Sequence, residues 1–383
     1  MHLLPSERTA KAVYAIRHVE KYAQERRARG LDVLKLNIGD PVKYDFQTPA
    51  HLRKVVQDAV ETKNYYAPSA GEDEAREAIA KEYGVLSKQV FLGTGVSAVL
   101  DDALNVLLNP QDIVLIPKPY YPLYPVICQK LGLQFALYET RAEEDWAPVL
   151  SDPPKGAKAI LVNNPNNPTG VVYSKKVLRE IVEYAATHKL VILADEIYDE
   201  IVFDEPCTRF NDIIKDEVPL ITFNGLSKNF LAPGWRLGWM VLKNIDAKGP
   251  FVEAVQNILE SGLSAPTAPQ WAVKPALTGS KEHIKSMVKK LRERRDLVYK
   301  RLNEIPGFSC TKPQGAFYAF PKLPVKNDVH FVQELCKETG VLCVHGSGFG
   351  MQGYMRMVFL AQKEVLTDAL DRIEQFTRKQ NRK

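Results

Sequence analysis

Pro219-Leu-Ile-Thr-Phe223, followed at once by Asn224-Gly-Leu-Ser-Lys-Asn-Phe-Leu-Ala-Pro-Gly-Trp-Arg236, is the stretch on which the fold turns. The first five residues read as a strand buried on both faces of a parallel sheet. In open α/β sheets ligands bind beyond the carboxyl ends of strands, so Lys228 sits where chemistry is expected. An amine there, with an arginine eight positions later, fits a Schiff-base lysine beside a phosphate-neutralising guanidinium. Lysines at strand ends are more often simply solvated, and the rest of the chain has to decide.

Working outward, the same pattern repeats. Apolar strands are predicted at Val90 to Leu92, Ile113 to Ile116, Ala159-Ile-Leu-Val162 and Leu190-Val-Ile-Leu-Ala194. Helical patterns alternate with them, Glu72 to Tyr83 before the first strand and Ser97 to Leu108 after it. Alternation of this kind means βαβ units. The fold class is α/β, with a large domain over residues 46–280 built on a mostly parallel, seven-stranded-type sheet flanked by helices. Arg236-Leu-Gly-Trp-Met-Val-Leu242 adds a strand to it. A long helix (Lys281 to Glu304) leads out of this block. Beyond it come a strand (Gly315 to Phe320), a helix (Val329 to Thr339), strands at Val341-Leu-Cys-Val344 and Tyr354 to Phe359, and a terminal helix. These make a smaller α+β domain over residues 281–383. Residues 1–45 form an arm and part of that domain, because Val33-Leu-Lys-Leu36 has no partner in the large block.

The 383 residues are 45% hydrophobic and 25% charged, as in an ordinary soluble enzyme. The net charge of +5 arises from interspersed groups, and Lys289-Lys-Leu-Arg-Glu-Arg-Arg295 reads as the solvated face of a helix. No nucleic-acid partner is expected. Five scattered cysteines without a CxxC pair predict reduced thiols, no disulfide framework and no metal site. No apolar run reaches the roughly 20 residues of a membrane helix, and the N-terminus lacks a signal-peptide stretch. Glu20 and Glu25 argue against a transit peptide, so residues 11–29 are expected to be an amphipathic helix of a cytoplasmic protein.

Several strand ends carry candidates. Asp195, in Ala194-Asp-Glu-Ile-Tyr198, needs a cation or donor, because a carboxylate buried alone costs several kcal/mol. A helix N-terminus or an arginine would serve; so would a protonated pyridine nitrogen, which the carboxylate would keep charged. Tyr198 either reaches the oxygen of such a ring or packs in the core. Asn163-Asn-Pro-Asn-Asn-Pro-Thr-Gly170 is a rigid turn with more amides than a turn needs, Asn167 being the best candidate to touch a ligand. Gly93-Thr-Gly-Val-Ser97 points amides and a hydroxyl at an anion, without the Lys-Ser/Thr of a P-loop. Pro119-Tyr-Tyr-Pro-Leu-Tyr124 places aromatics where they stack on a flat ring or pack.

These motifs, in this order, resemble the fold-type I, pyridoxal-phosphate-dependent aminotransferases of the aspartate aminotransferase superfamily. The resemblance runs from Leu36-Asn-Ile-Gly-Asp-Pro41 to Tyr354-Met-Arg-Met357. It implies that Lys228 carries the cofactor and shuttles a proton between the substrate α-carbon and the cofactor. Asp195 pairs with the pyridine nitrogen, Tyr198 and Asn167 with the ring oxygen, and Tyr121 stacks on the ring. Val96, Ser97 and Arg236 hold the phosphate, and Tyr66, in Asn64-Tyr-Tyr-Ala-Pro-Ser-Ala-Gly71, reaches the phosphate of a neighbouring subunit. Arg356 takes the substrate α-carboxylate in a fork, helped by Asn167 and the Gly39 backbone. Tyr14 and Arg17 are expected at the substrate entrance of a homodimer with shared sites.

Two departures stand out. Gly225 replaces a hydroxyl that often touches phosphate, with Ser227 a possible substitute, and Pro110-Gln-Asp112 replaces Pro-Gly-Asp, a structural change only. Tyr14-Ala-Ile-Arg17, Leu36 to Pro41, Asn224 to Lys228 and His345-Gly-Ser-Gly-Phe349 are similar to the bacterial and archaeal alanine aminotransferase branch. The implied reaction is L-alanine plus 2-oxoglutarate to pyruvate plus L-glutamate, by a ping-pong mechanism. Rival readings are an aspartate or aromatic aminotransferase or a β-eliminating lyase on the same fold. An aspartate enzyme needs a further cation, for which Arg17 is the candidate. A non-enzymatic sensor of the cofactor would carry an added DNA-binding module, for which no segment is evident.

Overall fold

The computed structural model describes residues 3–10 and 13–380. Thirteen strands are assigned there. They are β1 (Leu34–Lys35), β2 (Val90–Gly93), β3 (Ile113–Lys118), β4 (Gln134–Thr140), β5 (Pro148–Val149), β6 (Ala157–Asn163), β7 (Val191–Asp195), β8 (Leu220–Gly225), β9 (Gly238–Lys243), β10 (Tyr318–Ala319), β11 (Val341–Leu342), β12 (Val344–His345) and β13 (Met355–Val358). The main sheet runs β2-β9-β8-β7-β6-β3-β4-β5. Its centre, β8-β7-β6-β3-β4, is parallel, while β9 is antiparallel to both its neighbours and the two-residue β5 lies antiparallel on the edge. The expected sheet is present, with that short edge strand beyond the seven.

Burial on both faces explains the apolar runs. Ile160, Val162, Ile192, Ala194 and Leu220 pack into one cluster, and Leu161, Leu193, Ile221 and Phe223 into another. Alternate residues therefore serve opposite layers of helices. The helix Lys175–Thr187 shows how such a layer is made: the Ser174 hydroxyl caps it by accepting from Val177 N at 3.3 Å, and Leu178, Ile181, Val182 and Ala185 form its buried stripe. Register aligns the strand ends, with Asn163 opposite Asp195 and Asp195 opposite Phe223.

Two smaller sheets follow, the first of which joins the two ends of the chain. β1 pairs in parallel with β11, and β13 is flanked antiparallel by β10 and β12. The N-terminal strand thus finds its partner among the C-terminal elements, as its lack of one in the large block implied. The run at Val341 to Val344 proves to be two strands in different sheets, because Cys343 is where the chain passes from β1 to β13. Only Tyr318–Ala319 of the strand expected at Gly315 to Phe320 is laddered. The helix expected over residues 11–29 is two helices, Ala15–His18 and Glu20–Arg27, broken at Val19; residues 11 and 12 lie outside the described residues. The helix Glu282–Glu304 corrects another expectation. Arg294 and Arg295 are buried, not solvated, because Asp45 and Asp204 pair with them and the rings of Phe46 and Phe203 lie against them. No helix among the described residues is long and apolar enough to cross a membrane.

Candidate active site

Since β6, β7 and β8 end side by side, the residues just beyond them meet. They border a cavity of about 460 Å³ whose walls include Asn163, Asn167, Asp195, Tyr198, Ser227 and Lys228. Val96, Ser97 and Arg236 line it as well, with Tyr121, Gly39, Arg356, Tyr14 and Arg17. Every site residue read from the sequence is there except Tyr66, which is 79% exposed on this chain.

Lys228 Nζ donates to the Gly39 carbonyl at 2.7 Å. Burial pushes its amine down to about 8, the carboxylate of Asp40 opposes this, and the guanidiniums of Arg356 and Arg236 add to it. A neutral amine is therefore accessible near physiological pH, as a nucleophile or proton acceptor requires.

Asp195 is 4% exposed, and burial raises its carboxyl to about 6. Its Oδ2 accepts from the Tyr124 hydroxyl at 2.7 Å and its Oδ1 from Ile197 N at 3.4 Å. The predicted need for a donor is thus half met by a phenol. A cation in the cavity would meet the rest and bring the carboxyl back down. The sequence places Tyr124 among aromatics that stack or pack, and its contact with Asp195 was missed because an aromatic on the buried side of a helix, here Leu123–Leu131, is normally core.

The asparagine turn divides its labour. Asn163 Nδ2 donates to Asp195 O at 2.9 Å and its Oδ1 accepts from Asn167 N at 2.7 Å. Asn164 and Asn166 accept from Tyr173 N and Thr169 N, so they brace the turn itself. The Asn167 side chain reaches across to Arg356, accepting from its Nη1 at 2.8 Å.

Arg356 is 1% exposed and held between the rings of Tyr318 and Phe349, 4.5 and 4.9 Å from its guanidinium carbon. Its Nη2 donates to the Asn37 carbonyl, and its buried Nε has no partner among the described residues. A planar cation with a spare N–H group on a cavity wall has the geometry to pair with a carboxylate. Tyr318, also missed, shares a 2.8 Å hydrogen bond with the Tyr198 hydroxyl. The Tyr121 hydroxyl does the same with Tyr14 at 2.6 Å, its ring standing edge-on to those of Tyr14 and Tyr124.

The anion cradle forms where the helix Val96–Leu107 starts. First-turn amides have no intrahelical acceptor, and Gly95 (φ +81°) leaves room beside them: a Cβ there would lie 2.6 Å from Arg236 Nη2. Arg236 itself has φ +51° and, among the described residues, donates only to the Pro233 and Thr94 carbonyls. Strain of this kind, roughly 1 kcal/mol or more, is tolerated where a side chain must be aimed. The absent hydroxyl at Gly225 has a steric cause. A Cβ would sit 2.7 Å from Leu237 O and 2.9 Å from Gly238 Cα, so β8 and β9 approach too closely for one. Gln111, away from the cavity walls, takes φ +77° in its turn.

The donor set accepts an anion at the helix start, a cation at Asp195, a carboxylate at Arg356 and an electrophile at Lys228. The family model described as aminotransferase class I and II matches residues 31–373. The chain is 35% identical to the glutamate-pyruvate aminotransferase AlaA of Haemophilus influenzae, over 98% of both chains. It is 32% identical to the aspartate aminotransferase of Bacillus subtilis, over 93% of this chain and 94% of that protein. Its structure superposes on the alanine aminotransferase of Pyrococcus furiosus with a TM-score of 0.93 at 41% identity, covering 98% of this chain and all of that one. With the family matched over most of its length and a lysine, carboxylate and arginine converging on one cavity, this chain belongs to the class I and II aminotransferases.

Proposed function

We propose that the chain is a pyridoxal-phosphate-dependent transaminase that converts L-alanine and 2-oxoglutarate to pyruvate and L-glutamate in a ping-pong cycle. The observation that carries this is Lys228, whose amine is brought down to about 8 in a cavity shared with Asp195 and Arg356. The residues fit the cofactor: among the described residues no cation is ion-paired with Asp195, and the start of the helix at Val96 and Ser97 lies on the cavity wall beside the Arg236 guanidinium. Lys228 would hold it covalently, Asp195 at the ring nitrogen, Tyr198 and Asn167 at the ring oxygen and Tyr121 against the ring. Val96, Ser97, Ser227 and Arg236 would take its phosphate. Bound there, pyridoxal phosphate supplies an electron sink for the pair left behind when the substrate loses its α-proton.

The chain's own residues do the rest. Arg356 and Asn167 fix the α-carboxylate, so the bond from Cα to hydrogen keeps one orientation. Lys228 Nζ takes the α-proton, and its lowered pKa keeps a usable fraction neutral. Arg17, exposed at the rim and lining the cavity, is the cation left for the second carboxylate of 2-oxoglutarate or glutamate. Alanine makes no such demand, and the apolar walls Ile16, Ile38 and Leu123 suit a methyl group.

Single-turnover spectra of the holoenzyme against an amino-acid panel test the reading. Alanine and glutamate should react with kcat/KM at least about tenfold above aspartate and phenylalanine. Faster reaction with aspartate would overturn the alanine assignment. Borohydride should fix the cofactor on Lys228, and labelling of another lysine would overturn that role.

A two-fold homodimer with shared sites belongs to the same proposal, Tyr66 reaching the partner's phosphate. It is supported by exposed Tyr65, Tyr66 and Leu263, and by the Thr267 hydroxyl, which donates to Tyr65 O and joins these segments. Mixing Lys228→Ala with Tyr66→Ala chains should restore cofactor affinity at one hybrid site. We also read residues 46–280 as the cofactor domain and residues 1–45 with 281–383 as the second. A cytoplasmic setting is supported by five free cysteines, four of them buried.

A further inference from the structure

We infer that Asn37 is a positioning residue for the substrate carboxylate, tying Arg356 to the N-terminal segment through Glu20. Asn37 is fully buried, in the stretch that leaves β1 for the cavity. Its backbone carbonyl accepts from Arg356 Nη2. Its side-chain nitrogen donates to the Ile16 carbonyl at 3.3 Å and to Glu20 Oε1 at 3.0 Å. Glu20 is fixed in turn by Lys35 Nζ, 2.6 Å from its Oε2. One residue therefore holds the guanidinium with its main chain and the segment bearing Tyr14, Ile16 and Arg17 with its side chain.

The side-chain orientation is dictated, since both neighbours are acceptors and only the Nδ2 end can satisfy them. The Oδ1 end is left buried without a partner among the described residues. A buried acceptor left unmet is a cost to stability, which a positioning role accounts for. Rotation of the Asn37 peptide would swing its carbonyl away from Nη2, and the grip on Ile16 and Glu20 is what opposes that rotation. Arg356 would then keep only Asn167 and its two rings, and lose alignment without losing charge.

The inference rests on Arg356 being the carboxylate receptor, and the test separates the two. In holoenzyme, Asn37→Ala and Glu20→Ala should raise KM for alanine and the dissociation constant of propionate about five- to twentyfold, with kcat within about threefold. Propionate reads the receptor alone, because it has no amino group to transfer. Glu20→Gln, which still accepts from Asn37, should stay near wild type. Unchanged KM and propionate binding in Asn37→Ala and Glu20→Ala, with KM raised in Arg356→Lys, would overturn the role of Asn37 and leave the receptor standing. Unchanged KM in Arg356→Lys would overturn the receptor itself. Glu20 is only half-buried, so its variants decide the matter should Asn37→Ala fail to fold.

Discussion

Arg356 and Arg236 line the same cavity but are held in opposite ways. Arg356 is buried, sandwiched by two rings and fixed by Asn167 and Asn37 before any ligand arrives. Arg236 is exposed, strained at φ +51° and, among the described residues, bound only to backbone carbonyls, and Asp195 on the same cavity is a buried carboxylate with no ion-pair partner among them. On the proposed reading, the carboxylate receptor is thus complete in the protein alone, whereas the cofactor site is half a set of interactions. Substrates come and go each turnover, so their receptor has to be preorganised. A cofactor stays, and can itself finish the structure that binds it.

The largest effect should come from the incomplete side. Asp195→Asn should lower kcat roughly 10³-fold, because a neutral partner cannot keep a ring nitrogen charged. The same change should stabilise the apoprotein. The folded carboxyl titrates near 6 against an ordinary 3.8, so the fold prefers it protonated and loses stability as pH rises from about 4 to 6. Above 6 the full cost applies, and asparagine removes it. Urea melts of the apoprotein at pH 8 should show a gain of up to about 3 kcal/mol that vanishes below pH 4. A loss at pH 8 would mean that Asp195 is satisfied without a cofactor, and the contrast between the two sides would collapse.

On the complete side, Arg356→Lys should raise KM for amino donor and oxo acid by about 100-fold, the value of one charge-assisted fork, with kcat little changed. A lysine has neither the plane to lie between Tyr318 and Phe349 nor the geometry to keep both Asn167 and Asn37. An equal rise in KM from Arg236→Lys would show that the two arginines are not divided by task.

How far the sequence revealed this division depended on sequence distance. Lys228, Asp195 and Asn167 each follow a buried apolar run, so the strand-end rule alone located them. Arg236 was legible from its place eight positions after Lys228, whereas Arg356 came from resemblance, since nothing local marks it as a ligand-binding cation. Tyr124, Tyr318 and Asn37 escaped both routes. Their roles lie in contacts with Asp195, Arg356 and Glu20, and a buried tyrosine or asparagine looks the same in a core as in a site. The contact between Asn37 and Arg356 spans 319 positions and depends on β1 pairing with β11 while β13 lies alongside. The single run Val341 to Val344 was misread for the same reason: which sheet a strand joins is decided by partners elsewhere in the chain.

The smallest effect sharpens the contrast through salt. An exposed cation meeting a phosphate at a helix start is screened, because the Debye length falls from about 10 Å at 0.1 M to about 3 Å at 1 M. A buried, ring-flanked guanidinium is shielded from added ions. Cofactor affinity should therefore weaken several-fold between 0.05 and 0.5 M salt, while KM for alanine hardly moves. Arg236→Gln should weaken cofactor binding by about tenfold at low salt and flatten the salt dependence, leaving the amide cradle to hold the phosphate. The measurement is a titration of apoprotein with pyridoxal phosphate at the two salt concentrations, for wild type and variant. A salt dependence unchanged by the substitution would assign the phosphate to other groups. Arg236 would then hold its strained backbone for a reason other than the anion.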